Sequence, residues 1–391
     1  MKSHQLLALI IMSALYSFST LAEVRINGFA SIVAGKDTSS KNFRNSPYND
    51  EISFKPETKF ALQVTADLSE GLSATAQIMA RGSNDFDAKF EWAYLSYEIN
   101  DHHTLRGGRL RLPFYKYSDY LDVGYAYPWV RPPRAMYSLL FSSYDGLSLI
   151  SNYSVFDWDI TSNLVYGTVE DTFFSTTSPT EGKLDDLYAI NVQFSKDWFS
   201  AYVAYLGTDV LVPRADIETV AAITDAVAPG RGTDIRIDSD YGDFLGLGFT
   251  LDFENWLFNT EWSTVAIENS LSLDADQWYA SLGYRFDNIM PYVSYQETEN
   301  KRQTVSISNT PLPAQIHPGQ PPLNTFLQGV FDGLKFEYIA YTIGVRYDFH
   351  PSAALKVEYN RYEDIIDAGS LGSISDPESS GNFSVAVDLV F

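Results

Sequence analysis

GNFSVAVDLVF, residues 381–391, puts Phe383, Val385, Val387, Leu389 and Phe391 on one side of an extended chain and Ser384, Ala386 and Asp388 on the other. Strand side chains alternate between faces at a rise of ~3.3 Å per residue, so a segment of this length can carry one greasy and one wetter wall across a bilayer. Phe383, Leu389 and Phe391 mark it as the terminal aromatic strand of a membrane barrel.

The same alternation recurs along the chain in segments of about ten residues. Sixteen are present in all. The clearest is 58–68, where Phe60, Leu62, Val64, Ala66 and Leu68 oppose Lys59, Gln63, Thr65 and Asp67. After Ser69, Glu70 and Gly71, segment 72–81 repeats the pattern, so the two read as a hairpin. Segments 188–195, 277–286 and 336–349 are equally regular, the last opposing Ile339, Tyr341, Ile343, Val345, Tyr347 and Phe349 to Tyr338, Thr342, Arg346 and Asp348. Weaker alternation covers 24–36, 90–99, 104–111, 146–155, 158–166, 199–207, 243–252, 256–265, 290–298 and 353–363.

The connections alternate between short and long. Tight links fall at 69–71, 100–103, 156–157, 196–198, 253–255, 287–289 and 350–352, and long loops at 37–57, 82–89, 112–145, 167–186, 208–242, 266–276, 299–335 and 364–380. Composition alone leaves a soluble all-β sandwich open, but a sandwich has no reason to collect its short turns at one end. An outer-membrane barrel does, with short periplasmic turns, long extracellular loops and an even strand number. The expected fold is therefore all-β, a transmembrane antiparallel β-barrel of sixteen strands, with residues 381–391 pairing back to 24–36 because hydrocarbon tolerates no open sheet edge.

A ring of that size exceeds what inward side chains can fill, so a water-filled lumen is expected. Lys59, Gln63, Glu261, Arg285, Arg346, Lys356 and Glu358 would face it, since each is costly against lipid. Trp158, Phe194, Trp198, Trp256, Phe286, Phe349 and Phe391 crowd the short-turn ends as a periplasmic aromatic girdle.

The other terminus agrees with export. Lys2, an apolar run over 6–15 and the small-residue stretch Ser19-Thr20-Leu21-Ala22 form a secretory signal over 1–22, leaving the barrel domain at 23–391. The chain carries a formal charge of −23, which makes nucleic acid an unfavourable partner. It has no Cys, which removes disulfide and thiolate chemistry.

Residues 112–145 differ from the other loops. The stretch LPFYKYSDYLDVGYAYPWVRPPRAMY holds six Tyr, Phe114, Trp129 and four Pro, a content that favours burial within the barrel as a constriction. The constriction residues expected are Arg81, Arg109, Arg111, Lys116, Asp119, Asp122, Arg131 and Arg134. From Arg106 to Arg134 there are six Lys or Arg against two Asp, a balance that favours anions locally.

On the C-terminal aromatic strand and this loop segment, the chain resembles the trimeric sixteen-stranded porins of Gram-negative bacteria. The stretches GGRLRLPFY and YAYPWVRPP are similar to those of porin-like outer-membrane proteins of marine gammaproteobacteria. The resemblance implies an integral outer-membrane channel for passive diffusion of small hydrophilic solutes and ions, assembled as a homotrimer and embedded in outer-membrane lipid and lipopolysaccharide. It implies recognition of the terminal strand by the barrel-assembly machinery. It also implies that Asp119 and Asp122 are loop carboxylates facing basic residues among Arg81, Lys59, Arg25 and Arg285. The acidic loop motif of enterobacterial porins is not reproduced.

No catalytic residue, cofactor or metal is expected. His102, His103, His317 and His350 all lie in turns or loops, and neither G-x-S-x-G nor H-E-x-x-H occurs. The run 238–243 fails as a calcium loop because Gly242 falls one place early and Phe249 replaces the closing Glu. The remaining alternative is a substrate-specific channel, for anions such as phosphate or carboxylates held by the basic residues, or for sugars moving over Tyr115, Tyr117, Tyr120, Tyr125 and Tyr127.

Overall fold

The computed structural model describes residues 23–38, 46–137, 141–174, 179–268, 270, 274–301, 306–333, 335–367 and 379–391. The expected signal at 1–22 lies outside them. Sixteen strands follow in chain order: β1 (Val24–Asp37), β2 (Lys59–Ser69), β3 (Leu72–Arg81), β4 (Ala88–Asn100), β5 (His103–Arg111), β6 (Ser143–Val155), β7 (Trp158–Phe174), β8 (Pro179–Lys196), β9 (Phe199–Leu211), β10 (Asp238–Phe253), β11 (Trp256–Ile267), β12 (Ala275–Tyr284), β13 (Ile289–Asn300), β14 (Phe336–His350), β15 (Ala353–Asp367) and β16 (Ser379–Val390). Each pairs antiparallel with its sequence neighbours, and β16 pairs with β1, so the sheet closes.

Alternation along the strands sets the two walls. Phe60, Leu62 and Val64 of β2 are exposed to the outside, whereas Ala61 between them is buried. On β16, Ser384, Ala386 and Asp388 are buried inward while Phe383 stands exposed on the outer face. Trp198, Trp256, Phe286, Phe349 and Phe391 are exposed at the short-turn end. The turn Phe156–Asp157 takes positive φ at both residues (52° and 63°), the twist-matched geometry of a two-residue hairpin. No described helix is long and apolar enough to cross a membrane.

The sequence boundaries need correction at the outer end. Residues 167–186, expected as a loop, instead continue β7 and β8 up to a Phe174–Pro179 pair. Apolar alternation ends near Tyr166 and Tyr188, where hydrocarbon ends, but backbone pairing continues beyond it through Glu170 and Lys183. β9 and β10 similarly extend to 211 and back to 238.

A second correction concerns the interior. Loop 208–242 contains helix α1 (Ala215–Val227), and loop 299–335 contains helix α2 (Leu323–Asp332). Ile217, Val220, Ala221 and Thr224 of α1 are buried at helical spacing, as are Leu323, Leu327, Val330 and Phe331 of α2. These apolar faces join one cluster with Phe114, Trp129, Phe244 and Tyr279. The lumen is therefore not simply hollow. Wall side chains alone cannot fill a sixteen-stranded ring, and here three loops fill much of it.

The closing seam is tight. Gly28 and Phe391 exchange backbone hydrogen bonds of 2.8 and 3.0 Å, and a Cβ on Gly28 would lie 2.4 Å from the Phe391 ring. Gly28→Val is expected to lower the temperature at which the folded barrel converts to the slower-migrating species on unheated gels, whereas Ile32→Val should leave it unchanged. An unshifted transition in Gly28→Val would contradict the seam assignment.

Candidate functional site: the lumen loop and its wall

Residues 112–137 leave β5, enter the barrel and touch wall on several sides. Phe114 and Tyr115 pack edge-on against Phe244 of β10 with ring centroids 5.0 and 5.3 Å apart. Tyr117 donates to Asn259 of β11 at 2.9 Å. The chain then crosses to β2, β3 and β5 at Asp122, and descends until the Tyr125 hydroxyl donates to the Pro351 carbonyl in a periplasmic turn at 2.8 Å. It returns past β12 and β13, where the Trp129 indole N–H reaches the hydroxyls of Ser281 and Ser294 at 3.0 and 3.1 Å.

Buried charges on the wall fix this path. Glu261 of β11 accepts from the hydroxyls of Tyr202 (2.7 Å), Tyr279 (2.5 Å) and Tyr137, and from the Lys116 amide at 3.2 Å. Glu358 of β15 accepts the Val130 amide at 3.0 Å, the Tyr292 hydroxyl at 2.8 Å and the Asn360 amide at 2.7 Å. Lys356, wholly buried, donates to the carbonyls of Gly124 (2.5 Å) and Trp129 (2.8 Å) and pairs with Asp388 at 2.8 Å. Arg346 holds the Tyr125 and Tyr127 carbonyls at 2.8 and 2.9 Å. Hydrogen bonds to charged groups are worth ~1.5–3 kcal/mol each, so four wall residues account for the loop's seating. Gly124 is required at the tip, because a Cβ there would lie 2.1 Å from Asp388.

Asp122 is the hub of the opposite wall. It meets Arg111 at 2.5 Å, Arg81 at 3.0 Å and Lys59 at 3.6 Å, and Glu91 bridges the two arginines from behind. Burial would raise its carboxyl, but Arg111, Arg81 and Lys59 override that and hold it well below the usual carboxylate range. Asp119, one 3-10 turn earlier, has no hydrogen bond or ion pair among the described residues. It is open to the lumen yet deep within the barrel, and that confinement raises its carboxyl against the pull of Arg106 and Arg111.

The residues expected in one constriction thus separate. Arg81, Arg111, Asp122 and Lys59 converge. Arg131 lies beside them but is held by Glu57 through two 2.6 Å bonds, with Asn382 at 2.7 Å. Arg134 is half-buried and carries no ion pair among the described residues. Lys116 turns to the far wall, where it donates to Ser200 at 3.3 Å and to Thr250, and burial lowers its ammonium to about 8. Arg109 leaves the lumen altogether: its guanidinium pairs with Asp145 at 2.9 Å on the outer face, in register with outward Ala93. Arg25 and Arg285 do not meet the loop carboxylates but pair with Asp67 and Asp252 near the periplasmic end. Gln63 accepts from Gln77 and Trp92, each at 3.2 Å. Glu261, Lys356 and Glu358 face inward but grip the loop, and Arg346 both grips it and lines a cavity of about 340 Å³ with Arg285 and Asp348. Tyr115, Tyr117 and Tyr127 are buried in the loop's own packing, not laid along a surface. Glu57 and Glu91 escaped the sequence reading, the first because it sits in a loop and the second because a register shift beside Ile78 breaks the alternation that would expose it.

Cavities flank the Asp122 cluster. One of about 190 Å³ is lined by Glu57, Lys59, Arg81, Asp122 and Arg131; another of about 460 Å³ lies toward the periplasm, against Gln63, Gln77, Trp92 and Asp119.

A closed antiparallel barrel, apolar outside, with a polar lumen and an inserted loop defines a diffusion channel of the bacterial outer membrane. The chain belongs to the Gram-negative porin family, whose model matches residues 7–375, and it is an integral outer-membrane porin. Its fold is similar to the anion-selective porin of Comamonas acidovorans (TM-score 0.58, 11% identity, covering 95% of this chain and 100% of that one). It is also similar to the outer-membrane channel DcaP of Acinetobacter baumannii (TM-score 0.58, 11% identity, 96% and 99% covered) and to OmpF of Salmonella typhi in complex with daunomycin (TM-score 0.54, 14% identity, 95% and 98% covered). No curated protein matches the sequence.

Two outcomes follow from the site. Lys356→Met strips the tip carbonyls and leaves Asp388 without its cation, a change that costs ~3–5 kcal/mol for a broken buried pair; single-channel recordings should show larger and noisier openings, and unaltered openings would contradict the anchoring role. On acidification, Asp119 should neutralise before Asp122, so the reversal potential under a salt gradient should move toward anions. Asp119→Asn should abolish that movement; its persistence would show that another group titrates.

Proposed function

We propose that solutes cross this porin along an eccentric passage between the loop and the wall of β1–β4. Cavities flank the Asp122 cluster there, whereas over β10–β13 the loop packs onto the wall through Phe114, Tyr115, Trp129, Phe244 and Tyr279; this contrast carries the proposal. The passage serves passive diffusion of small hydrophilic solutes and ions. At its narrow point Lys59, Arg81 and Arg111 outnumber Asp122 and Glu91 by one charge, and the Glu57–Arg131 pair adds none, which supports a mild anion preference. The Comamonas acidovorans relative in fold is itself an anion-selective porin.

The charged groups that converge here are consumed by one another and by backbone carbonyls, an arrangement that supports selectivity and loop seating over enzymatic chemistry. Homotrimeric assembly accords with the trimer form reported for the similarly folded OmpT of Vibrio cholerae. Lipopolysaccharide contacts at the acidic outer loops and docking of Phe383, Leu389 and Phe391 by the barrel-assembly machinery belong to the same reading.

The chain has no cysteine, so single introduced thiols report accessibility cleanly. Gln63→Cys in a planar bilayer should lose current on exposure to a charged methanethiosulfonate reagent, while Asn191→Cys, buried beneath the loop on β8, should not. Modification at 191 without effect at 63 would overturn the proposed path.

A further inference from the structure

Asn27, Gln63, Gln77 and Trp92 occupy successive positions of one cross-strand row over β1, β2, β3 and β4. A row of Phe29, Ala61 and Met79, buried and apolar, separates it from the Lys59 and Arg81 row above. Three amides and an indole therefore stand together on one wall; the apolar step parts the amides from Lys59 and Arg81, while the Arg111 guanidinium lies over the Trp92 ring at 5.9 Å from its centroid. Opposite them the loop presents Asp119 and Val123, and the space between, open on one side, is about 460 Å³. Ser352 of a short turn also lines it, which sets it in the periplasmic half.

The hydrogen bonding within the row is incomplete. The Gln63 carbonyl oxygen accepts both the Gln77 amide and the Trp92 indole N–H at 3.2 Å, which fixes all three side chains. The Gln63 amide nitrogen, the Gln77 amide oxygen, both ends of Asn27 and the Asp119 carboxylate then have no hydrogen-bond partner among the described residues. A confined set of planar donors and acceptors beside an aromatic ring matches a molecule whose hydroxyls each donate and accept, and whose C–H faces are apolar. An anion is disfavoured, because the charged side chain lining this cavity is a carboxylate. The volume falls within the ~300–1,000 Å³ of small-molecule sites.

We infer that this cavity is a binding subsite for an uncharged saccharide of one or two rings, with Trp92 as its apolar platform and Asn27, Gln63, Gln77 and Asp119 as its hydrogen-bonding groups. The inference rests on the passage along β1–β4. Sugar contact thereby moves from the loop tyrosines, of which Tyr115, Tyr117 and Tyr127 are buried, to the wall.

The test is ion-current block by maltose in planar bilayers, added to one side at a time, with each variant compared with its own open current. The expected result is concentration-dependent interruption, stronger from the periplasmic side, with half-block near roughly 10 mM, a weak affinity suited to a solute that must leave again. Trp92→Ala should raise the half-block concentration at least about tenfold, equivalent to ~1.4 kcal/mol, with Trp92→Phe falling between. Gln193→Leu, on the far wall, should not change it. Absence of block at about 100 mM, block that is indifferent to Trp92→Ala, or block by acetate or glycine in place of maltose would overturn the inference. If Gln63→Cys still responds to thiol reagents when maltose fails, only the saccharide site falls; if Gln63→Cys is silent in a conducting channel, the passage itself is misplaced.

Discussion

The structure depends on one demand of the solvent: in hydrocarbon, each backbone N–H and C=O must find its partner within the protein. A sheet meets that demand only by closing, and closure between β1 and β16 sets everything else. It fixes which residues face lipid, because one shift of register would exchange the two walls. It also creates an interior that sixteen strands cannot pack from their own side chains. The loops enter to occupy that interior, and the shape they leave open is the channel.

How the loop is held is a matter of buried charge. An isolated ion inside a barrel wall is costly, yet Glu261, Glu358, Lys356 and Arg346 are each compensated by loop hydroxyls, amides or carbonyls, or by a neighbouring charge. The dependence is reciprocal: the wall needs the loop to satisfy its charges, and the loop needs the wall to satisfy its backbone. Tyrosine suits this interface because it buries a large ring and still ends in a donor. On the β1–β4 side the charges pair largely with each other around Asp122, and space remains between them.

The barrel was legible in residues 381–391 and in hairpins such as 58–81, because lipid imposes a strict two-residue period on a wall. Where lipid stops, that signal stops. β7 and β8 continue past Tyr166 and Tyr188 without apolar alternation, so their outer halves read as loop. Helices α1 and α2 were hidden within long polar excursions, although Ile217, Val220 and Ala221 carry helical spacing. The inward parity of Glu261, Lys356, Glu358 and Arg346 was readable, but not that they grip a loop, since their loop partners lie more than a hundred residues away and include backbone carbonyls. Arg109 looked like its neighbour Arg111 in sequence. A positive φ of 134° at Gly108 marks the irregular end of β5, where the two guanidiniums part to opposite faces.

Water crosses this barrel by a narrow passage beside a loop-filled lumen. Polymer exclusion measures it most directly, by single-channel conductance of the purified protein in the presence of poly(ethylene glycol) of increasing size. Stepwise openings that only the smallest polymers depress are expected, the larger ones being shut out of the space left by the loop. Openings depressed equally by large polymers would mean a lumen empty of the loop, and a bilayer that never shows steps would mean no passage at all.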